Sequence, residues 1–444
     1  MRARIHRGIG QVGGSCVELE QDGFRLVLDV GRPPTAERDS EATLPDVPGL
    51  ASGDDPHLLG VILSHGHQDH WGLMSRVHPD VPRYVGKASA DILRAAEFWG
   101  TGIGIDLAET GHLAHRAPFM LGPFTITPYL NDHCAFDAYS LLVEAGGSRL
   151  FYAGDFRGHG RRGTLFDELL LDPPADVDVL VCEGTGVHRE DLGQPGEPEA
   201  TEAQVEMDMA ATFRATEGLV VVLSSPQNID RLVTTYRAAL RADRDVVVDL
   251  YGADVAAATG QSTVPQVGDD WPRVHVYLPQ DQRVRVLKSK EFHRVVDVLT
   301  KRLFAENLAA EPSKYVLVGS FQPELRRLVA ALGPKIGAVV WSRADGYLAE
   351  ASGVALRADL TAAGIPLVHH HTSGHARPEQ LQELVAAMQP GGVVPVHTDF
   401  PEALAVLAGL AGSEPGGHEW WTVGATDNDH SADDPKVEPG ADKA

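Results

Sequence analysis

The sequence lacks the features that would place it among secreted or membrane proteins. Only three cysteines occur in 444 residues, and no two of them form a CxxC pair. This argues against a disulfide framework and favours a reducing compartment. No apolar run reaches the roughly 18 residues that a membrane span needs, and the N-terminus has no apolar segment typical of a secretory signal. We therefore expect a cytoplasmic protein with no membrane partner.

Positive charge is also scarce, since 38 Lys and Arg face 62 Asp and Glu and the formal net charge is −24. Such a surface repels polyanions at long range, which argues against a protein that coats nucleic acid nonspecifically. It does not exclude a nuclease, because bound metal ions can neutralise the phosphate that is cleaved. The best basic cluster fits either phosphate binding or an ordinary charged surface; it consists of Arg283, Arg285, Lys288, Lys290 and Arg294.

Metal-ligating residue types are concentrated in the stretch SHGHQDHWG at residues 64–72. It follows the apolar run 58–63, so we predict a buried strand that ends in a tight loop. One histidine in such a loop would more simply bind backbone or water. Four ligand-type residues in six positions instead predict a metal site, because imidazole and carboxylate are standard zinc ligands; they are His65, His67, Asp69 and His70.

Four further ligand-type residues follow predicted strands, namely Asp29, His133, Asp155 and His397. Each could alone be a capping or turn residue. Gathered at one sheet edge, the last three would complete two metal pockets, with Asp155 as the natural bridge. Two metals about 3.5–4 Å apart would then activate a shared water. For Asp29 we predict an indirect role, orienting a loop or a ligand.

A second histidine-rich stretch, HHHTSGHARP, precedes the predicted helix at 379–388. Backbone amides at Ser373 and Gly374 could hold an anion, and His375 could donate a proton to a leaving alkoxide. Alternatively, Ser373 and His375 cap the helix. We interpret four other histidines as surface residues, and three arginines after Asp155 as either substrate contacts or a solvated face; these are His112, His115, His159, His188, Arg157, Arg161 and Arg162.

The order of predicted elements indicates an α/β protein with an insertion. Residues 1–200 have short strands that end in ligand-type residues. Residues 201–365 alternate strand and helix, including a helix over 291–308, which predicts a parallel sheet. Residues 366–424 return to the first pattern, and residues 425–444 have the composition of a disordered acidic tail.

Several motifs resemble those of a known family. The stretch SHGHQDH resembles the signature of the metallo-β-lactamase superfamily, and Asp29, His133 and Asp155 match its first, third and fourth motifs by order and context. CEGTG with Glu183, SGHA with His375 and VPVHT with His397 resemble motifs A, B and C of the β-CASP nucleases. The segments SSPQNIDRL and HTSGHARPEQL are similar to segments of ribonuclease J-like proteins. We expect the further C-terminal domain of those proteins to be absent here.

The resemblance implies an αββα metallo-β-lactamase sandwich with an inserted β-CASP α/β domain. It also implies two zinc ions per chain. His65, His67 and His133 would hold one zinc. Asp69, His70 and His397 would hold the other, with Asp155 bridging. Asp69 and His375 would act in catalysis, and the substrate would be bound by His371, Ser373, Gly374 and Glu183.

The expected function is that of a zinc-dependent ribonuclease, exo- or endonucleolytic, that cleaves phosphodiesters of RNA or single-stranded nucleic acid with a metal-bound hydroxide. A homodimer is an allowed assembly. A first alternative is a metallo-hydrolase of a small ester, lactone or thioester, for which a closed apolar cavity would replace an open basic groove. A second alternative is a non-catalytic nucleic-acid-binding protein with the same fold.

Overall fold

A computed structural model of the protein describes residues 1–33, 43–101, 107–188, 200–319, 322–407 and 418–424. The tail at 425–444 that the sequence predicts to be disordered lies outside these residues. Strands are numbered β1–β20 and helices α1–α14 along the described chain. None of these helices is long and apolar enough to span a membrane.

The first sheet has seven strands in the order β20-β1-β2-β3-β4-β5-β6. The pairs from β20 to β3 are antiparallel and those from β3 to β6 are parallel. The bounds are β1 (Arg2–Arg7), β2 (Cys16–Gln21), β3 (Phe24–Leu28), β4 (Leu58–Ile62), β5 (Arg83–Gly86), β6 (Gly111–Leu113) and β20 (Trp421–Thr422).

The second sheet has six strands in the order β19-β11-β10-β9-β8-β7. Its strand β19 comes from the return segment and pairs in parallel with β11. The chain therefore completes this sheet only after the insert. The bounds are β7 (Phe119–Leu121), β8 (Phe124–Leu130), β9 (Tyr139–Ala145), β10 (Ser148–Tyr152), β11 (Val179–Glu183) and β19 (Gly392–Val396).

The two sheets pack face to face around one apolar core, in which Leu19 and Leu28 of the first sheet meet Phe124, Leu141 and Val181 of the second. Helices cover the outer faces, since the strands' other side chains cluster with helical residues. The helices of the sandwich are α1 (Gln68–Trp71), α2 (Lys87–Ala96), α3 (Gly163–Leu171), α13 (Pro378–Met388) and α14 (Pro401–Leu407). The αββα fold expected from the sequence is confirmed.

The third sheet has seven parallel strands in the order β15-β14-β13-β16-β12-β17-β18. It contains the predicted strand–helix alternation of the insert. Its edge strand β18 extends past the predicted boundary at 365, and the domain limits stay a prediction. The bounds are β12 (Leu219–Leu223), β13 (Asp245–Asp249), β14 (Val274–Tyr277), β15 (Arg302–Leu303), β16 (Tyr315–Gly319), β17 (Ile336–Trp341) and β18 (Leu367–His369).

The helices of this region begin with side-chain caps where the sequence has them. Thr201 accepts from the Gln204 amide at 3.1 Å, and Asn228 accepts from the Arg231 amide at 2.9 Å. The predicted single helix over 291–308 is wrong, because strand β15 pairs with β14 inside that range. The bounds are α4 (Glu202–Ala215), α5 (Ile229–Arg241), α6 (Leu250–Ala258), α7 (Gln280–Ser289), α8 (His293–Val296), α9 (Ala305–Ala310), α10 (Gln322–Leu332), α11 (Gly346–Ala349) and α12 (Ala351–Ala363).

Candidate metal centre

The ligand-rich loop connects β4 to the short helix α1. The indole Nε1 of Trp71 donates a hydrogen bond to the Gly66 carbonyl at 2.9 Å and closes the loop. Trp71 is itself buried in the core below the loop. This packing turns His65 and His70 inward, and both are almost fully buried.

The loop residues meet three later strand ends in two adjacent groups. In the first group, ligand atoms of His65, His67, His133 and Asp155 all lie within 4.8 Å of one another. The His67 Nδ1 and His133 Nε2 atoms are 3.0 Å apart, and His65 Nε2 lies 3.6 Å from Asp155 Oδ2. Four histidine and aspartate ligands at such spacing suit a zinc ion.

The second group satisfies the same 4.8 Å criterion and consists of Asp69, His70, Asp155 and His397. His70 Nε2 lies 3.2 Å from Asp155 Oδ2, and His397 Nε2 lies 3.0 Å from Asp69 Oδ2. Asp155 is common to both groups. The structure therefore brings all seven residues that the sequence nominates as ligands into one centre.

Four polar atoms of this centre are buried without a hydrogen-bond partner, namely His65 Nε2, His70 Nε2 and both carboxylate oxygens of Asp155. Buried polar atoms are nearly always paired, because an unpaired one loses its solvation without compensation. A metal ion is the natural partner for imidazole nitrogen and carboxylate oxygen together. The residues present thus fit two zinc ions that share Asp155.

The electrostatics of the centre favour the metal-binding forms of His65, His133 and Asp155. Burial, together with the charge on nearby histidines, holds the pKa of His65 and of His133 well below the ordinary value, so each imidazole stays neutral and can bind metal. Burial alone would raise the pKa of Asp155, but His397 and His70 outweigh it and hold that pKa well below its usual range. The Asp155 carboxylate therefore remains ionised.

Asp29 lies behind the centre and is fully buried. Its carboxylate accepts from the Ser64 amide, the Ser64 hydroxyl and the Tyr152 hydroxyl, each at 2.7 Å. It also lies 2.7 Å from His70 Nδ1. A carboxylate on the far nitrogen of a histidine orients the ring, so Asp29 directs His70 Nε2 toward Asp155.

His375 lies beside the second group. Its Nδ1 is 3.0 Å from Glu183 Oε2 and 3.6 Å from Asp155 Oδ2. The sequence suggests that Glu183 binds substrate, but this carboxylate is 1% exposed and accepts from the amides of Phe156 and Ala376. Its carboxylate also lies 3.0 Å from His375 Nδ1 and so positions this ring, while a substrate contact by Glu183 stays a prediction.

The segment before His375 contacts the sandwich through its backbone. The Gly374 carbonyl is 2.6 Å from His133 Nδ1, and a Cβ on Gly374 would lie 2.5 Å from Cys134 Sγ, so a larger residue there would displace Cys134. The His375 amide donates to Ser373 Oγ at 3.1 Å. His371 Nδ1 lies 3.5 Å from Arg231, and burial together with Arg231 lowers the pKa of His371 to about 3. Substrate contacts by these residues stay a prediction.

Two residues beside the centre have a different environment from the one expected. His159 is buried rather than on the surface, and its Nε2 lies 3.2 Å from the Ser373 carbonyl. Burial and Arg157 lower the pKa of His159 to about 4. Arg157 is fully buried and so belongs to no solvated face. The cover comes from residues 373–380, more than 200 positions away, so local sequence could not reveal it.

The basic cluster of the insert is exposed, apart from one member. Arg294 forms ion pairs with Asp254 and Glu291. Arg283, Lys288 and Lys290 are exposed and make no ion pair within the described part of the chain. These three cations remain available to an anionic ligand.

Two family models match the chain. Residues 37–224 match a β-lactamase superfamily domain, and residues 368–414 match a Zn-dependent metallo-hydrolase RNA specificity domain. The first range contains the ligand-rich loop, His133 and Asp155. The second contains His375 and His397.

Ribonucleases J are among the curated proteins to which the chain is similar. That of Sinorhizobium meliloti is 25% identical over 379 residues, which cover 80% of this chain and 60% of the relative. That of Helicobacter pylori strain 26695 is 20% identical over 410 residues, which cover 88% of this chain and 55% of the relative. The chain thus spans less than two thirds of the length of these relatives.

A solved structure of a protein of unknown function from Enterococcus faecalis V583 superposes with a TM-score of 0.72 at 20% identity and covers 90% of this chain and 95% of that one. At this identity the likeness supports the fold. Fold, matched models and relatives agree with the motifs in the sequence. Residues 37–224 and 368–414 thus match domains of metallo-hydrolases of the β-lactamase superfamily, and the chain as a whole is similar to ribonuclease J-like proteins of its β-CASP branch.

Proposed function

We propose that this protein is a zinc-dependent ribonuclease that hydrolyses RNA phosphodiester bonds with two zinc ions. The observation that carries the proposal is the double ligand group around Asp155, with four unpaired buried atoms aimed at its interior. The match of residues 368–414 to an RNA specificity domain supports RNA as the substrate, as do the names of the ribonuclease J relatives.

In this proposal each zinc has its own ligand set. His65, His67 and His133 would hold one ion, and Asp69, His70 and His397 would hold the other, with Asp155 able to serve both. Bound zinc would neutralise charge on the scissile phosphate and supply an activated water. Asp69 thus acts in catalysis as a ligand, with its carboxylate also 3.0 Å from His397.

His375 is the residue of this chain best suited to the leaving group. Glu183 accepts a hydrogen bond from Nδ1 of its ring, which fixes the ring and leaves the other nitrogen to face a substrate. From that position His375 can hydrogen-bond a phosphate oxygen and protonate the departing alkoxide. Glu183 supports this role from its buried position.

The proposal also includes a cellular location for the protein and contacts with RNA outside the metal centre. Cys16, Cys134 and Cys182 are free thiols, which supports a cytoplasmic location. The exposed cations Arg283, Lys288 and Lys290 offer phosphate contacts in a chain whose net charge is −24.

The proposal is tested by measuring cleavage of 5′-labelled RNA, single-stranded DNA and p-nitrophenyl acetate by one zinc-loaded preparation. We expect the RNA to be cleaved fastest and its cleavage to stop on chelation. His375→Ala should lower kcat on RNA by about 10²–10⁴-fold while zinc stays near two per chain, because general-acid catalysis is lost and no ligand is removed.

Faster hydrolysis of the ester than of RNA would favour the small-substrate alternative. Full activity after exhaustive chelation would contradict a zinc mechanism. The lengths of the labelled products distinguish exonucleolytic from endonucleolytic cleavage.

A further inference from the structure

A fully buried arginine beside the centre has no part in the proposed chemistry. Arg157 follows the bridging residue Asp155 by two positions, and its side chain is 0% exposed. Its backbone amide donates to the Asp132 carbonyl at 2.7 Å, next to the ligand His133. The Arg157 backbone is therefore tied to the segment that carries His133.

The Arg157 guanidinium reaches two other parts of the molecule. Its Nη1 donates to the Ser373 carbonyl at 2.6 Å, two residues before His375. Its Nη2 forms an ion pair with Asp230 Oδ2 at 2.6 Å, on helix α5 of the insert. One planar group thus contacts the loop that carries His375 and a helix of the insert in two different directions.

A second buried arginine extends the same connection. Arg231 follows Asp230 on α5 and forms an ion pair with Glu202 of α4 at 2.8 Å. It also donates to the His370 carbonyl at 3.3 Å. Glu202 lies 3.8 Å from Arg157 as well, so both arginines share its carboxylate. Burial alone would raise the pKa of Glu202, but Arg231 and Arg157 lower it to about 2.

The carbonyls at His370 and Ser373 are therefore each held by an arginine that has a carboxylate partner on α4 or α5, and Arg157 also lies 3.8 Å from Asp132 beside His133. Burial leaves no water to replace a lost partner, so these contacts are kept together or lost together. The fork of a guanidinium can bind a carbonyl and a carboxylate at once along fixed directions, which a lysine ammonium cannot do with the same geometry.

We propose that Arg157 is a positioning residue that fixes His375 against Glu183 and Asp155 by coupling the Ser373 carbonyl to the insert helices α4 and α5. The proposal rests on the proposed function for its activity readout. It assigns the insert a direct part in assembling the centre. The competing interpretation is that the buried ion pairs only stabilise the fold.

The test is a double-mutant cycle of Arg157→Lys and His375→Ala, read as kcat and KM on 5′-labelled RNA. Arg157→Lys alone should lower kcat by about 10–100-fold, with zinc content unchanged. In the His375→Ala background it should lower kcat by less than about twofold, because residues that act through one another are not additive.

Arg161→Lys is the matched control. Arg161 contacts Glu206 at 2.6 Å and Thr234 at 2.9 Å on the same two helices, and none of its described contacts is with residues 370–375. We expect this variant to change kcat by less than about twofold in either background.

Hydrogen exchange gives a readout that does not depend on activity. Residues 369–377 should exchange faster in Arg157→Lys than in the wild type, with sheet β8–β11 unchanged. If the wild-type protein cleaves no RNA, the proposed function fails, and the exchange result still decides whether Arg157 holds this loop.

Equal kcat losses in both backgrounds, or loss of zinc, would overturn the proposal. So would an unchanged exchange rate over 369–377. If Arg157→Lys does not fold, Asp230→Asn replaces it, because it weakens the same contact from the insert and leaves Arg157 in place. The same non-additivity with His375→Ala is then expected, and its absence would overturn the proposal.

Discussion

Asp155 and Asp249 are both buried aspartates at strand ends, yet their environments are opposite. Asp155 follows β10, and neither of its carboxylate oxygens has a hydrogen-bond partner. Asp249 ends β13 and accepts from the Gly252 amide at 2.7 Å and from Gln282 Nε2 at 2.9 Å. Histidines lower the pKa of Asp155, whereas burial raises the pKa of Asp249 to about 6.

The difference indicates when a strand-end carboxylate is functional. Asp249 caps helix α6 and its hydrogen bonds are complete within the insert. Asp155 faces histidines from four other segments, and its oxygens are left for a ligand. Within the part of the chain that the structure describes, every group of three or more clustered ligand-type residues includes Asp155.

The largest expected effect comes from replacing each aspartate by asparagine. Asp155→Asn should lower RNA cleavage by at least about a thousand-fold and reduce bound zinc below two per chain, because the shared anionic ligand is lost. Asp249→Asn should keep cleavage within about threefold of the wild type, since only a cap is altered. Zinc analysis and kcat on labelled RNA measure both.

Comparable losses of cleavage in the two variants would contradict the distinction between Asp155 as a functional residue and Asp249 as a helix cap. They would mean that the strand ends of the insert contribute to catalysis as well. Thermal unfolding of both proteins separates this outcome from simple destabilisation.

A smaller effect is expected at Asp29, which contacts the proposed ligand His70 and would not contact zinc itself. Asp29→Asn should weaken zinc affinity or activity by about 10–100-fold, because the amide cannot replace the carboxylate behind His70. Tyr152→Phe, which removes one donor at 2.7 Å from Asp29 but keeps the carboxylate, should have a weaker effect. Competition with a chromogenic chelator measures the affinities.

An Asp29→Asn protein that binds zinc as tightly as the wild type would contradict the orienting role of this carboxylate. A Tyr152→Phe variant with the larger loss would instead assign the role to the tyrosine hydroxyl.

A pH dependence of stability is expected from Asp249. Its pKa in the folded protein is about 6 against 3.8 for the free group. The folded state therefore binds the proton more tightly, and the unfolding free energy decreases as pH rises from about 4 to about 6. The decrease is at most about 3 kcal/mol. The difference between the wild type and Asp249→Asn in urea unfolding isolates this contribution.

Asn does not titrate, so the difference in unfolding free energy should change between about pH 4 and 6 and stay constant above it. A difference that is constant over the whole range would mean that Asp249 titrates normally in the folded protein.

Much of the centre was predictable because its residues follow strands. The seven proposed ligands could be named from motifs, and the αββα fold was confirmed. The burial of His159 and Arg157 was not predictable from local sequence. Residues 373–380, which contact both side chains, follow the insert and lie more than 200 positions later in the chain. The helix predicted over 291–308 failed for a related reason, since β15 finds its partner only in the folded sheet.

The sequence by itself determined the kind of centre and the fold family, because ligand type, strand alternation and helix caps are local properties. Only the tertiary structure decided which polar groups stay unpaired and which support others. Glu183 has the same strand-end position as the ligands, but folding surrounds it with amides and His375. Asp155 receives no such donors. Hydrogen-bond satisfaction depends on contacts between distant segments, and short sequence patterns do not contain them.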